Sequence, residues 1–300
     1  MSARDTYVLI GVDMETDVGS FTPYYEGTIH GTPRLLEMMD RKGIPGTFYF
    51  TGECAQAHPE VAAEVVKGGH EIGCHSLQHE TLGDELFPLP NVKPVLRHEV
   101  APRVKLATEW VEEATGVRPK SFRCPRLWGS TEVVRALAAN GYTTDATYPM
   151  YFYRQQFEPY FVDLDDWTQL GSSDLLEIPN FADMTMESSD PGLERDRDQW
   201  PLFRTKGGQF MLDKVNSYLD FCDARGVGRF ITFYIHPWEF HPMQPSYDFG
   251  EAIVTPHPFI TQSCDSDAVE QMEIIVDGLL GIGAQFVRAD QLPDIVRARQ

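Results

Sequence analysis

Two histidines four residues apart, His75 and His79 in the segment GHEIGCHSLQHETL (69–82), carry the strongest chemical signal in this 300-residue chain. At a helical period of 3.6 residues, positions i and i+4 share a face, so the spacing predicts a helical turn that aims both imidazoles at one metal ion. His70-Glu71 followed by His75 misses the HExxH pattern by one residue, which speaks against a zincin-type site. Taken alone, the pair would also suit surface or capping histidines. Three further segments add to it. Asp13, Glu15 and Asp17 alternate in GVDMETD; a strand presents i, i+2 and i+4 to one face, so its end gathers negative charge that calls for a cation or a catalytic use, or else for plain solvation. Arg123 in SFRCPRLW leaves a strand just before a proline-bearing loop, where a guanidinium can pair with a strand-end carboxylate and keep it ionised. His236 in FYIHPWEF ends an apolar strand, with Trp238 and Glu239 directly behind it.

The elements that must position these groups follow from hydrophobic periodicity. Short runs rich in β-branched and aromatic residues alternate with longer amphipathic stretches, the pattern of repeated βα units around a parallel sheet. The predicted strands are 7–12, 46–50, 71–74, 121–123, 144–146, 176–178, 230–235 and 285–287. The predicted helices are 33–42, 59–67, 95–115, 131–140, 209–225 and 265–281. Gly43, Gly68, Gly116, Gly141 and Gly226 close helices, and Thr32-Pro33 opens one. Seven or eight such units favour a barrel, and the four chemical segments all fall at carboxyl ends of strands, where α/β folds collect their ligands and catalytic groups. No linker divides the chain, so residues 1–300 read as a single domain. Residues 183–208, polar and acidic, read as an excursion over the barrel, with 183–198 as solvated surface. The proline-rich stretches 88–94 and 237–258 read as loops.

Composition narrows the function. Lys and Arg number 25 against 45 Asp and Glu, a net charge of −20, which weighs against nucleic acid, anionic membrane faces and polyanionic substrates. No apolar run approaches the ~20 residues that span a bilayer, so membrane insertion is not expected. Five scattered cysteines without a CxxC pair argue against a disulfide framework or a thiolate zinc site; Cys74 and Cys124 are expected to be buried packing positions. With no secretory signal visible at the start, the expected location is cytoplasmic. The aromatic stretch 142–161 fits a sugar-stacking rim, or equally core packing plus a contact in a homo-oligomer.

Taken in order, VDMETD, HSLQH (75–79), RCP (123–125), DLDDW (163–167) and FYIH (233–236) resemble the motifs of the polysaccharide deacetylase family, carbohydrate esterase family 4, over about 7–242. The FYIHPWE and LLEIP strings look most like its exopolysaccharide and atypical peptidoglycan deacetylase branch. The resemblance implies an α/β fold, a distorted (β/α)7-type barrel, and removal of N-acetyl groups from amino sugars with a divalent metal, most simply zinc, with cobalt an alternative. Carried over, Asp13 is the general base, His75 and His79 are metal ligands, Arg123 orients the base, and His236 is the general acid. Asp166 and Trp167 support the arginine and the groove floor, and Trp128, Trp167 and Trp238 contact substrate. Two departures matter. Met14 stands where the family's second acid binds metal, which passes that role to Glu15 or Asp17, and Arg126 stands where an aromatic is usual. These departures, with the expected location, motivate a second reading, an allantoinase- or imidase-like amidohydrolase acting on a small cyclic amide, with or without metal. A third is an inactive carbohydrate-binding barrel.

Overall fold

A computed structural model describes residues 5–19, 21–89, 92–189 and 196–299. The strands in chain order are β1 (Thr6–Met14), β2 (Thr47–Phe50), β3 (Glu71–Cys74), β4 (Ser121–Phe122), β5 (Thr144–Asp145), β6 (Tyr160–Phe161), β7 (Leu176–Glu177), β8 (Arg229–Ile235), β9 (Tyr247–Asp248), β10 (Ile253–Val254) and β11 (Gln285–Phe286). β8, β1, β2, β3, β4, β5 and β7 lie side by side and parallel. β6 adds antiparallel to β7, β11 adds parallel to the first residues of β1, and β9 with β10 forms a separate hairpin. This is the expected distorted (β/α)7-type barrel. The strands are apolar because both faces are covered: Val8, Ile10 and Val12 of β1 pack outward under the helices, while Leu9 and Tyr49 belong to the inner cluster.

The barrel does not close by strand pairing between β7 and β8. Phe181, beyond β7, donates its N–H to the Thr232 carbonyl of β8 at 3.0 Å. The Gln199 side chain completes the join: its Nε2 donates to the carbonyls of Phe181 and Thr232 at 3.0 and 2.9 Å, and its Oε1 accepts from the Tyr234 N–H at 2.9 Å. One primary amide thus satisfies backbone groups that a neighbouring strand would otherwise satisfy. The acidic excursion is solvated surface only in part: Thr185, Glu187 and Ser189 are exposed, but the residues where it meets the barrel are not. Asp183, Arg197, Asp198 and Gln199 are buried, with Asp183 paired to Lys214 at 3.4 Å; residues 190–195 of that stretch lie outside the described residues. Among the described residues no helix is long and apolar enough to cross a membrane.

At the amino ends of the strands, buried Glu71 accepts from Thr47 Oγ1 at 2.7 Å, from the Asp290 N–H at 3.1 Å and from Ser121 Oγ. Burial pushes its carboxyl up to about 7, opposed by these donors. Because the folded pKa exceeds the ordinary value, the fold favours the protonated acid, so this contribution to stability is present below about pH 4.5 and is lost as pH rises through 7. The span corresponds to about 3 kcal/mol. Glu71→Gln, which mimics the protonated form, is expected to flatten urea-denaturation stability between pH 5 and 8; an unchanged slope would contradict this account.

Candidate active site

The carboxyl ends of β1, β3, β4 and β8 bring Asp13, Glu15, His75, His79, Arg123 and His236 together around one cavity of about 190 Å³. His75 and His79 do not sit on a helix. They flank a tight turn in which Ser76 and His79 take left-handed backbone angles, φ 70° and 57°. The carbonyls of Ser76 and Leu77 accept from the N–H groups of Gly52 and Glu53, and the Glu80 carboxylate accepts from Ser76 Oγ and the Gln78 N–H at 3.0 and 2.7 Å. These bonds fold the chain back on itself, so the two rings meet, centroids 5.2 Å apart, by a loop conformation rather than by helical periodicity.

Glu15, His75 and His79, all buried, offer donor atoms within 4.8 Å of one another. Glu15 Oε2 lies 2.6 Å from His79 Nε2 and 3.5 Å from His75 Nε2. His75 Nδ1 lies 2.7 Å from the Arg123 carbonyl; a carbonyl only accepts, so the proton sits on Nδ1 and the Nε2 lone pair faces the carboxylate. Burial raises the Glu15 pKa, but the neighbouring His79, His75 and His236 outweigh it and hold the carboxyl well below its usual range. Burial, with help from His75 and Arg126, lowers His79 against the pull of Glu15. A carboxylate held ionised beside two imidazole nitrogens is the donor set a divalent ion requires, so these residues fit one. Asp17 does not join them. Its two carboxylate oxygens accept from the N–H groups of Glu26 and Gly27 at 3.0 and 2.9 Å, although burial raises its pKa to about 6.

Asp13 lies 2.8 Å from Arg123 Nη1, and its other oxygen lies 3.9 Å from His75 Nε2. Arg123 is fully buried. Its Nε donates to the Ala146 carbonyl at 3.0 Å, its Nη2 reaches the Phe233 carbonyl at 3.5 Å, and its plane lies over Tyr49, 4.5 Å from the ring centroid. Gly11 makes the room: a Cβ there would stand 2.3 Å from Nη2. On the far side His236, 3.9 Å from Glu15, stacks on Trp238 with centroids 5.0 Å apart and meets the edge of Trp200. Its Nδ1 lies 3.0 Å from Glu239, whose other oxygen accepts from buried Arg204 at 2.7 Å. Burial disfavours the imidazolium, yet Glu239, Glu15 and Asp13 together raise the His236 pKa above its ordinary value.

Three expected residues lie elsewhere. Asp166 is exposed, its carboxylate accepting from the N–H and hydroxyl of Thr168, and it does not reach Arg123. Trp167 is buried against Tyr148 and Tyr153, and Trp128 is buried against Phe87; neither lines the cavity, because both rings turn into the core. Trp238 does line it, and its Nε1 lies 3.5 Å from Glu15. Arg123 is held instead through the backbone of 146–148. Glu177 accepts from the N–H groups of Thr147 and Tyr148, and Asp145 accepts from Thr147 Oγ1. These two buried carboxyls are cross-strand neighbours: burial raises both, Asp145 raises Glu177 further, and the pair retains a proton, while Thr147, Glu177 and Arg123 hold Asp145 the lower of the two. Sequence reasoning passed over Asp145 and Glu177, although each is an acid inside a predicted strand. It also passed over Asp198, Trp200 and Tyr234, which line the cavity with Tyr234 Oη donating to Asp198. Glu239 stood in plain view three residues after His236 but carried no assigned role. Cys74 and Cys124 are buried, as expected.

The sequence profile of the polysaccharide deacetylase family matches residues 24–144, a span holding His75, His79 and Arg123. A Helicobacter pylori protein named peptidoglycan deacetylase is 22% identical over 273 residues, covering 86% of this chain and 85% of that protein. Among solved structures, a Mycobacterium smegmatis chain described as a polysaccharide deacetylase superposes with a TM-score of 0.65 at 18% identity, over 99% of this chain and 92% of that one. The Puue allantoinase superposes with a TM-score of 0.63 at 14% identity, over 98% and 90%; likeness at these identities concerns the fold. The ordered motifs, the profile match over 24–144 and the shared barrel agree in a likeness to the polysaccharide deacetylase family.

Proposed function

We propose that the protein is a metal-dependent N-deacetylase of amino sugars, with Glu15, His75 and His79 as ligands to a divalent ion, zinc in the first instance. Its likeness to the deacetylases makes it a hydrolase of carbon–nitrogen bonds. The observation that carries the reading is the placement of Asp13 with Arg123 on one side, and His236 with Glu239 on the other, of three buried donor atoms within 4.8 Å. When bound, the ion supplies polarisation of the amide carbonyl and of the attacking water. Asp13, locked by the Arg123 guanidinium, takes the proton of that water. His236, oriented by Glu239 and shielded by Trp200 and Trp238, gives a proton to the departing amine nitrogen; its raised pKa keeps that proton available near neutrality. The scattered, unpaired thiols suit a cytoplasmic enzyme.

The small volume of the cavity, about 190 Å³, favours a second reading, hydrolysis of a small cyclic amide at the same centre. Chelation followed by zinc or cobalt add-back is expected to abolish and restore acetate release from acetylated amino sugars. Calorimetry should give one zinc per chain, with affinity reduced at least about 100-fold in His79→Ala. Activity indifferent to chelation would sink the metal mechanism. Ring opening of hydantoin or allantoin with inert acetylated sugars would replace the first reading by the second, and no turnover of either class would leave a binding barrel.

A further inference from the structure

Arg126 stands at the site without a part in the reaction as proposed. It follows Pro125 in the turn after β4, with its backbone at φ 60°, and its side chain lines the cavity. Nη2 reaches the Gly19 carbonyl at 3.5 Å, and the guanidinium carbon lies 5.6 Å from the Phe21 ring centroid. Gly19 in turn lies against the ligand cluster: a Cβ on it would stand 3.3 Å from Glu15 Oε1 and 3.7 Å from His79 Cε1. The guanidinium is thereby anchored one residue away from the candidate metal centre and faces the same cavity.

Among the described residues lining that cavity, Arg126 is the one arginine or lysine; the charged groups beside it are carboxylates and histidines. The carboxylates each have partners besides Arg126, and Glu15 alone also attracts it. Asp13 pairs with Arg123, Asp198 accepts from Tyr234, and Glu15 faces the imidazoles. Burial lowers the Arg126 pKa against the pull of Glu15, so the cation has been taken partly out of water. A partly desolvated guanidinium gains most from a ligand oxyanion that its planar fork can grip. The overall charge of −20 does not oppose this, because exposed charges beyond about 8 Å are largely screened at physiological salt whereas the cavity walls are not.

We propose that Arg126 makes this pocket selective for an amide whose own skeleton carries a carboxylate a few bonds from the scissile carbon–nitrogen bond. The proposal rests on amide hydrolysis at the neighbouring centre and specifies its substrate class. A neutral amide of the same shape desolvates the guanidinium further and offers it no oxyanion in return, so the acid is favoured by about 10–100-fold.

Two matched pairs test it: N-acetylglucosamine against its 3-O-lactyl ether, and hydantoin against hydantoin-5-acetate, with the carboxamide of each acid controlling for size. Each is measured by kcat/KM on the zinc-loaded enzyme and by calorimetric affinity for chelated protein. Arg126→Asn removes the charge while placing a residue that tolerates left-handed backbone, so the fold is expected to survive, as thermal melting will report. Arg126→Lys keeps the charge and removes the fork. The wild-type enzyme should prefer the acid of at least one pair over both neutral members by about 10–100-fold; Arg126→Asn should bring the ratio below about threefold, chiefly through KM, and Arg126→Lys should fall between. A wild-type ratio within about threefold in both pairs, or an undiminished ratio in Arg126→Asn, overturns the proposal. Should no compound be turned over, the deacetylase reading fails by itself, because the binding preference of the chelated protein still decides the role of Arg126.

Discussion

Arg123→Met is expected to lower stability by about 3–5 kcal/mol, more than Asp13→Asn at the other end of the same ion pair. Removing the arginine leaves the Asp13 carboxylate buried with no cation of its own, and it also withdraws the guanidinium from the Phe233 carbonyl and from the Ala146 carbonyl, which keeps only the Asn180 amide as a side-chain donor. The amide introduced by Asp13→Asn, by contrast, keeps an oxygen for Nη1 to donate to, and Arg123 retains its two carbonyls and its place over Tyr49. Urea denaturation of the chelated proteins measures both without interference from ligand binding. A loss under about 1 kcal/mol for Arg123→Met, or a larger loss for Asp13→Asn, would show that the pair is not the buried, mutually dependent unit described above.

Gly11→Ala should act on rate more than on stability. The added methyl would stand 2.3 and 2.4 Å from the two terminal nitrogens of Arg123, closer than any real contact, so the guanidinium must shift. Overpacking of this kind costs about 1–3 kcal/mol. In the proposed mechanism, a base displaced by about 1 Å costs about 100-fold in turnover. The expected result is therefore a kcat reduced about 100-fold with KM little changed and a protein that still melts cooperatively. A kcat within about threefold of wild type would remove Arg123 from the orientation of Asp13.

Local signals sufficed for the barrel because glycine and proline punctuate nearly every element. The strand Glu71–Cys74 and the helix Pro59–Lys67 coincide with their predicted limits, and the other major elements differ by one or two residues. The meeting of Glu15 with His75 and His79 was legible in part for a related reason, since a strand end and a paired-histidine segment each announce themselves, although the choice between Glu15 and Asp17 was not. Where reasoning failed, the deciding contacts were long-range or rotational. Nothing local to HSLQH reveals that Gly52 and Glu53 will bond its carbonyls and turn it out of a helix. An acid beside a tryptophan suggested a partner for Arg123 at Asp166, yet the backbone at Ala146, fixed from below by Glu177, fills that place. Trp128 and Trp167 carry rings suited to a sugar face, but a residue's type does not disclose which way its side chain turns. The tie between Arg204 and Glu239, 35 positions apart, was invisible for the same reason that it matters: it joins the excursion to the loop that holds His236.

The amide of Gln199 that bridges Phe181 to β8 also makes one backbone proton a reporter for the cavity wall. Protection of the Tyr234 N–H from exchange would depend on a side chain borrowed from the segment that also carries Asp198 and Trp200. Any lifting of that segment would open the wall and take the acceptor from the amide in the same event. The protection factor at Tyr234, followed by isotope exchange as compounds are added, therefore records how often the pocket stands open, and a molecule that settles against Trp200 would register there as slower exchange before any chemistry is measured.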